Sequence, residues 1–306
     1  MLRVTFLLTG IGWGVVWLLT HTAVAQTANE GLSPALAGIK QAKVVKIGYR
    51  ESSPPFSFLD QTGRPIGYSL ELCKAVVEDI AVEVDDPALR IDYVKVTADD
   101  RIQAVVDGKV DLECGSTTAN LERRKRVAFS PMIFVAGTKL MVPKTTTGTA
   151  PADFKGKTVV VTKGTTNEQA MHAVDAKFGL GLNFVVSPDH EASYQILAGG
   201  KADAFATDDV LLSGLIARHK SQDRFRVVGD YLSYDPYGIM FRKGDPQLAA
   251  VVERAFRRLG SNRDLIPLYN KWFVARLPTG ERMGISISPQ LEESFKALDD
   301  SAGGTN

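Results

Sequence analysis

The sequence predicts an α/β protein of two lobes, each built on a mostly parallel sheet with flanking helices, joined by a two-strand hinge. Three observations predict this. The chain has 306 residues, enough for two domains that each bury a core. Short β-branched runs alternate with helically spaced segments in both halves, the pattern of parallel sheets. A motif also recurs: Gln103-x4-Gly108-Lys109-x-Asp111 matches Gln195-x4-Gly200-Lys201-x-Asp203. Each copy reads as a helix, a glycine stop and a strand, so both lobes should share one local topology.

In chain order, Val44-Val45-Lys46-Ile47-Gly48 reads as a first strand. The turn-rich Glu51-Ser52-Ser53-Pro54-Pro55 follows, then a hairpin-like segment bracketed by Gly63 and Gly67. A helix begins near Ser69, a suitable N-cap, with Leu72, Val76 and Ile80 at helical spacing. Ile91 to Val96 is a strand, Asp99 to Val106 a helix stopped by Gly108, and Val110 to Cys114 a short strand. In the second half, Thr158 to Val161 is a strand, a helix starts about Asn167, and Phe184 to Val186 is a strand. Ala192 to Ala198 is then a helix and Ala202 to Ala206 a strand. Further helices are expected from Pro246 to Leu259 and from Arg263 to Val274. Residues 44–138 with 232–276 form the expected first lobe and 139–231 the second. Residues 26–43 are expected to be flexible. Residues 277–306 form a polar tail, helical at Gln290–Leu298.

The first 25 residues stand apart. Arg3, an apolar run from Val4 to Leu19, and Ala23-Val24-Ala25 read as a secretory signal peptide cut after Ala25, which implies a periplasmic protein. The alternative is an uncleaved anchor, for which the run is short. Cleavage would remove Arg3 and leave 35 Lys+Arg against 35 Asp+Glu. A neutral chain gives no reason to expect nucleic acid or a membrane surface, so selectivity for a charged ligand must come from a local cluster. The cysteines are Cys73 and Cys114. In an exported chain they form one disulfide or stay as two buried thiols; the bridge is the expectation, and two cysteines alone make a poor metal site.

Candidate chemistry gathers at strand-to-helix junctions, where ligands dock in open α/β sheets. Arg50 follows the first strand, and its planar fork can grip a carboxylate. Ser116 and Thr118 precede a short helix capped by Asn120 and offer hydroxyls and N–H groups to an anion. Arg123 stands among Arg124, Lys125 and Arg126, which read as a solvated basic face. Asp208 ends a strand and can pair with an ammonium or cap a helix. Arg101, Thr166 and His190 occupy equivalent junctions. Ser116, His190 and Asp208 supply the residue types of a hydrolase triad, but there is no G-x-S-x-G elbow, P-loop, dinucleotide fingerprint or H-E-x-x-H. No cofactor and no enzymatic activity are expected.

Three stretches carry a resemblance. They are Gly48-Tyr49-Arg50-Glu51-Ser52-Ser53-x-Pro55-Phe56-Ser57, then Gly67-Tyr68-Ser69, then Glu113-Cys114-Gly115-Ser116-Thr117-Thr118-Ala119-Asn120-x-Glu122-Arg123. They resemble the periplasmic glutamate/aspartate-binding proteins, members of the family 3 solute-binding proteins of polar amino acid ABC transporters. Further matches are Val159-Val160-Val161-Thr162-x-Gly164-Thr165-Thr166, Asp189-His190, Asp208-Asp209 and Lys271-Trp272-Phe273, so the likeness runs from about residue 44 to 276. It implies a two-lobed periplasmic binding protein fold, a monomer that holds L-glutamate or L-aspartate between the lobes, and a membrane permease as partner. By the same resemblance, Arg123 with Ser116 and Thr118 would hold the α-carboxylate and Asp208 the ammonium. Arg50, Arg101 and His190, near Thr166, would take the side-chain carboxylate. The alternatives are a binder of glutamine, asparagine or another polar solute, an exported dehydratase on the same fold, and a receptor sensor module.

Overall fold

Strand β1 (Val44–Tyr49) buries Val45 and Ile47 completely, and this alternating, β-branched stretch is the spine of the first lobe. The computed structural model describes residues 31–300. Helix α1 (Pro34–Ala42) precedes β1. A small antiparallel sheet of β2 (Ser52–Ser53), β3 (Ser57–Leu59) and β4 (Pro65–Ile66) follows it. Then come α2 (Tyr68–Glu83), β5 (Arg90–Lys95), α3 (Arg101–Val106), β6 (Leu112–Glu113), α4 (Leu121–Arg124) and β7 (Val127–Phe129).

Strand β8 (Phe134–Ala136) leads into the second lobe. That lobe contains β9 (Thr138–Pro143), β10 (Thr158–Thr162), α5 (Thr166–Phe178), β11 (Asn183–Ser187), α6 (His190–Ala198), β12 (Ala204–Asp208), α7 (Asp209–Arg218) and β13 (Phe225–Val228). The chain returns through β14 (Asp235–Tyr237), which pairs antiparallel with β8 as a two-strand hinge. It finishes with β15 (Met240–Arg242), α8 (Pro246–Ser261), α9 (Leu265–Tyr269) and α10 (Pro289–Asp300).

Both sheets have five strands in equivalent order, β5-β1-β6-β15-β7 and β11-β10-β12-β9-β13. In each, the first three strands are parallel and the last two join antiparallel. Each sheet is mixed by one reversed strand, β15 or β9, which enters from the hinge without a helical crossover, while the other four strands run the same way, as the mostly parallel expectation requires.

The repeated motif is a repeated structure. Gly108 and Gly200 stop their helices at φ +69° and +70°, a conformation glycine adopts without a Cβ penalty. Asp111 accepts a 2.7 Å bond from the Lys46 N–H, and Asp203 a 2.8 Å bond from the Thr158 N–H, so each aspartate pins the start of its lobe's spine strand.

Two local expectations change. Within 26–43, Pro34–Ala42 is helix α1 rather than flexible chain, because Leu36 and Ile39 are buried in the first core; residues 26–30 and the expected signal peptide, 1–25, fall outside the described residues. Helix α2 is capped by Gly67, not Ser69, whose hydroxyl instead donates to the Gly115 carbonyl at 2.8 Å. The helix expected at Gln290–Leu298 forms as α10 and folds back: its Leu291, Phe295 and Leu298 are buried against the core that includes α8. Cys73 and Cys114 are fully buried and joined by a disulfide that ties α2 to the end of β6. Among the described residues no helix is long and apolar enough to cross a membrane.

Candidate functional site

Helices and strands of both lobes end at one small polar cavity. Arg50 follows β1, Arg101 begins α3, and Ser116 and Thr118 lie on the loop after β6. From the second lobe, Thr166 begins α5, His190 begins α6 and Asp208 ends β12; all seven line the cavity, with Thr165, Asn167 and Leu211. The eighth candidate, Arg123, stands behind this lining. Its Nη1 donates to the Thr118 carbonyl at 3.0 Å and its Nη2 to the Gly164 carbonyl at 3.5 Å, so it spans the two lobes. Arg124, Lys125 and Arg126 are exposed, as expected of a solvated face.

The first-lobe side is strongly cationic. Arg50 and Arg101 are each only 2% exposed, and Arg123 is 8% exposed. Burial, then the neighbouring charge of Arg101, lowers the pKa of Arg50 to about 10 and that of Arg123 to about 9. Both remain cations at neutral pH. Burial also lowers Arg101, opposed chiefly by the Glu113 carboxylate. Among the described residues, Arg50 Nη2, Arg101 Nε and Nη1, and the Ser116 hydroxyl are buried without a hydrogen-bond partner. Such orphaned donors cost about 1–3 kcal/mol each, more when charged. They converge where an anion would satisfy them.

His190 behaves differently from a fourth cation. It is 1% exposed, and its Nδ1 is 2.8 Å from the Thr162 hydroxyl. Burial, then Arg50 and Arg101, push its pKa well below the ordinary value. The ring is neutral and can share a hydrogen bond, but adds no charge.

The second-lobe side is acidic. Asp208 accepts from Asn167 Nδ2 at 2.9 Å and from the Tyr237 hydroxyl. Burial, then repulsion from Asp235, raises its pKa to about 7. Its side chain caps no backbone N–H of α7, which leaves it facing the cavity. Asp235, on the hinge strand β14, accepts from the Thr118 hydroxyl at 3.0 Å and the Thr166 hydroxyl at 2.8 Å, linking lobe to lobe. An ammonium fits this side as an anion fits the other. A wider hollow between α1 and the start of α8 includes none of these residues. Its acidic groups, Asp111 and Asp245, already accept backbone N–H bonds. Among the described residues no group of three or more His, Cys, Asp or Glu is placed to hold a metal ion.

Residues 45–275 match the family model of the bacterial extracellular solute-binding proteins, family 3. The chain belongs to this family. Among family 3 relatives, the L-glutamate/L-aspartate-binding protein of Pseudomonas aeruginosa is 39% identical over 90% of each chain. The glutamate/aspartate import solute-binding protein of Salmonella typhimurium is 35% identical over 94% of this chain and 96% of its own. Among solved structures, a mutant of ArgBP from T. maritima superposes with a TM-score of 0.70 at 28% identity, covering 79% of this chain and all of that one.

Five residues of this candidate site escaped the sequence reading as site groups. Glu113 is fully buried among the arginines, where its Oε2 accepts from Thr117 at 2.7 Å. Its only signal is an acid beside Cys114 in the strand run Val110–Cys114, which also carries Asp111. Gly115 makes room for it: a Cβ there would sit 2.4 Å from Glu113 Oε1 and 3.0 Å from Arg50 Cγ. Asn167 lies one position beyond Thr166. Asp235 and Tyr237 reach the cleft from the hinge, and nothing in their local sequence reveals it.

Proposed function

We propose that the chain is the solute-binding component of an ABC importer that captures L-glutamate or L-aspartate in the interlobe cleft and delivers it to a membrane permease. The observation that carries this is the placing of unsatisfied guanidinium groups on Arg50 and Arg101 opposite Asp208 across one small cavity, with Asp235 bonded to the lining residues Thr118 and Thr166. A dicarboxylic amino acid carries two anions and one cation, which complements that distribution. The names of the relatives agree with it.

Ser116 and Thr118 take the α-carboxylate with the Arg123 guanidinium charge directly behind them, and Asp208 takes the ammonium. Arg50 and Arg101 take the side-chain carboxylate, with neutral His190 and Thr166 beside it. A charge-assisted hydrogen bond contributes about 1.5–3 kcal/mol, so three or four support binding at micromolar concentration or tighter, about −8 kcal/mol. Closure of the lobes excludes water and strengthens each pair. The closed form is what the permease reads, and the protein acts as a periplasmic monomer.

Isothermal titration with L-glutamate, L-aspartate, L-glutamine and prephenate tests the reading. Tight one-to-one binding of both acids with weak glutamine binding is expected. Preference for glutamine, or turnover of prephenate, would overturn it.

A further inference from the structure

We infer that Gly214 and Arg218, on α7 and outside the ligand cavity, form a closure contact that sets ligand affinity. This rests on the cleft being the ligand site.

Helix α7 starts directly after Asp208, which lines the cavity, and runs along the other lobe's Ser52–Ser57 loop. A glycine in a helix interior is less favourable than alanine, so Gly214 calls for a reason. The reason is close approach. A Cβ at Gly214 would lie 2.3 Å from the Pro54 carbonyl oxygen and 2.9 Å from its carbon, both main-chain atoms and both closer than real Cβ contacts.

That loop cannot give way easily. The Phe56 N–H donates to the Ser53 carbonyl at 2.9 Å, the Tyr68 N–H to Pro55 at 2.9 Å and the Ser69 N–H to Phe56 at 3.0 Å. The Phe56 ring is fully buried against Phe134, Tyr237 and Phe273. The same loop holds Arg50, whose N–H donates to Ser57 Oγ at 2.9 Å. One turn further along α7, the Arg218 guanidinium lies 5.7 Å from the centroid of the Phe58 ring in the first lobe, a cation–π contact across the cleft. A side chain at 214 must therefore lever the lobes apart, and loss of Arg218 removes an attraction that exists only when they meet.

The signature has two opposite parts. Gly214→Ala should leave the ligand-free melting temperature at or above wild type, because alanine favours the helix and the open protein has no clash. The same variant should weaken L-glutamate and L-aspartate alike by about tenfold or more, which is about 1.4 kcal/mol. It should also reduce the ligand-induced contraction seen by small-angle scattering. Arg218→Gln should weaken both ligands about threefold, and it carries the test alone if Gly214→Ala does not fold. Gly38→Ala, with open space around its Cβ, is the control and should not change affinity. Wild-type affinity and contraction in both Gly214→Ala and Arg218→Gln would overturn the inference. Failure of the wild-type protein to bind either acid would instead count against the ligand assignment.

Discussion

Asn167 donates its side-chain amide to Asp208 at 2.9 Å, Nδ2 to Oδ1, holding a buried carboxylate whose pKa has risen to about 7. A raised carboxylate is mostly protonated below that value, whereas pairing with an ammonium requires it ionised. Ligand binding should therefore release close to one proton at pH 6 and almost none at pH 8. Affinity should rise with pH up to about 7 and then level off. Titration in buffers of different ionisation enthalpy measures the proton count. Asp208→Asn should abolish proton release, and an unchanged count would exclude Asp208 as the ammonium partner.

The same shift has a stability consequence. Because the folded pKa of Asp208 lies above its ordinary value of 3.8, its contribution is present at low pH and is lost as pH rises through about 7. The stability of ligand-free Asp208→Asn relative to wild type should therefore increase between pH 4 and pH 8. Denaturant midpoints across that range give the comparison.

Arg50→Ala should separate charge from shape. Losing one charge-assisted contact costs about 1.5–3 kcal/mol, or roughly ten- to 150-fold in affinity for L-glutamate. L-glutamine, which carries no side-chain charge, should lose much less. Equal losses in paired titrations would count against placing Arg50 at the side-chain carboxylate.

The bridge between Cys73 and Cys114 spans a sequence separation of 41. Closing a loop of that length removes unfolded-state entropy equivalent to about 4 kcal/mol. The double variant Cys73→Ser with Cys114→Ser should unfold at a correspondingly lower denaturant concentration. Wild-type protein treated with reductant should move towards the same midpoint.

Phe295 tests the folded tail. It is 4% exposed, on a helix packed against α8. Phe295→Ala should destabilise the protein by about 3 kcal/mol through the cavity it leaves. Because α10 supplies no group to the cleft, the affinity for L-glutamate should stay within twofold of wild type.

What the sequence determined by itself is local. Alternating β-branched runs, glycine stops and the 103–111 and 195–203 motifs specify paired α/β lobes, because strand and helix periods and positive φ are written in neighbouring residues. Arg50 and Ser116, which follow strands, and Asp208, which ends one, were legible as candidate groups for the cavity they line. Only the tertiary structure decided which side chains face one another and in what charge state. Glu113 among the arginines, Asp235 bridging Thr118 and Thr166, and Gly214 against Pro54 join segments far apart in the chain. The neutrality of His190 and the raised pKa of Asp208 come from burial and from charges on other elements. Desolvation and Coulomb interactions depend on distance in space, and a linear sequence does not contain that distance.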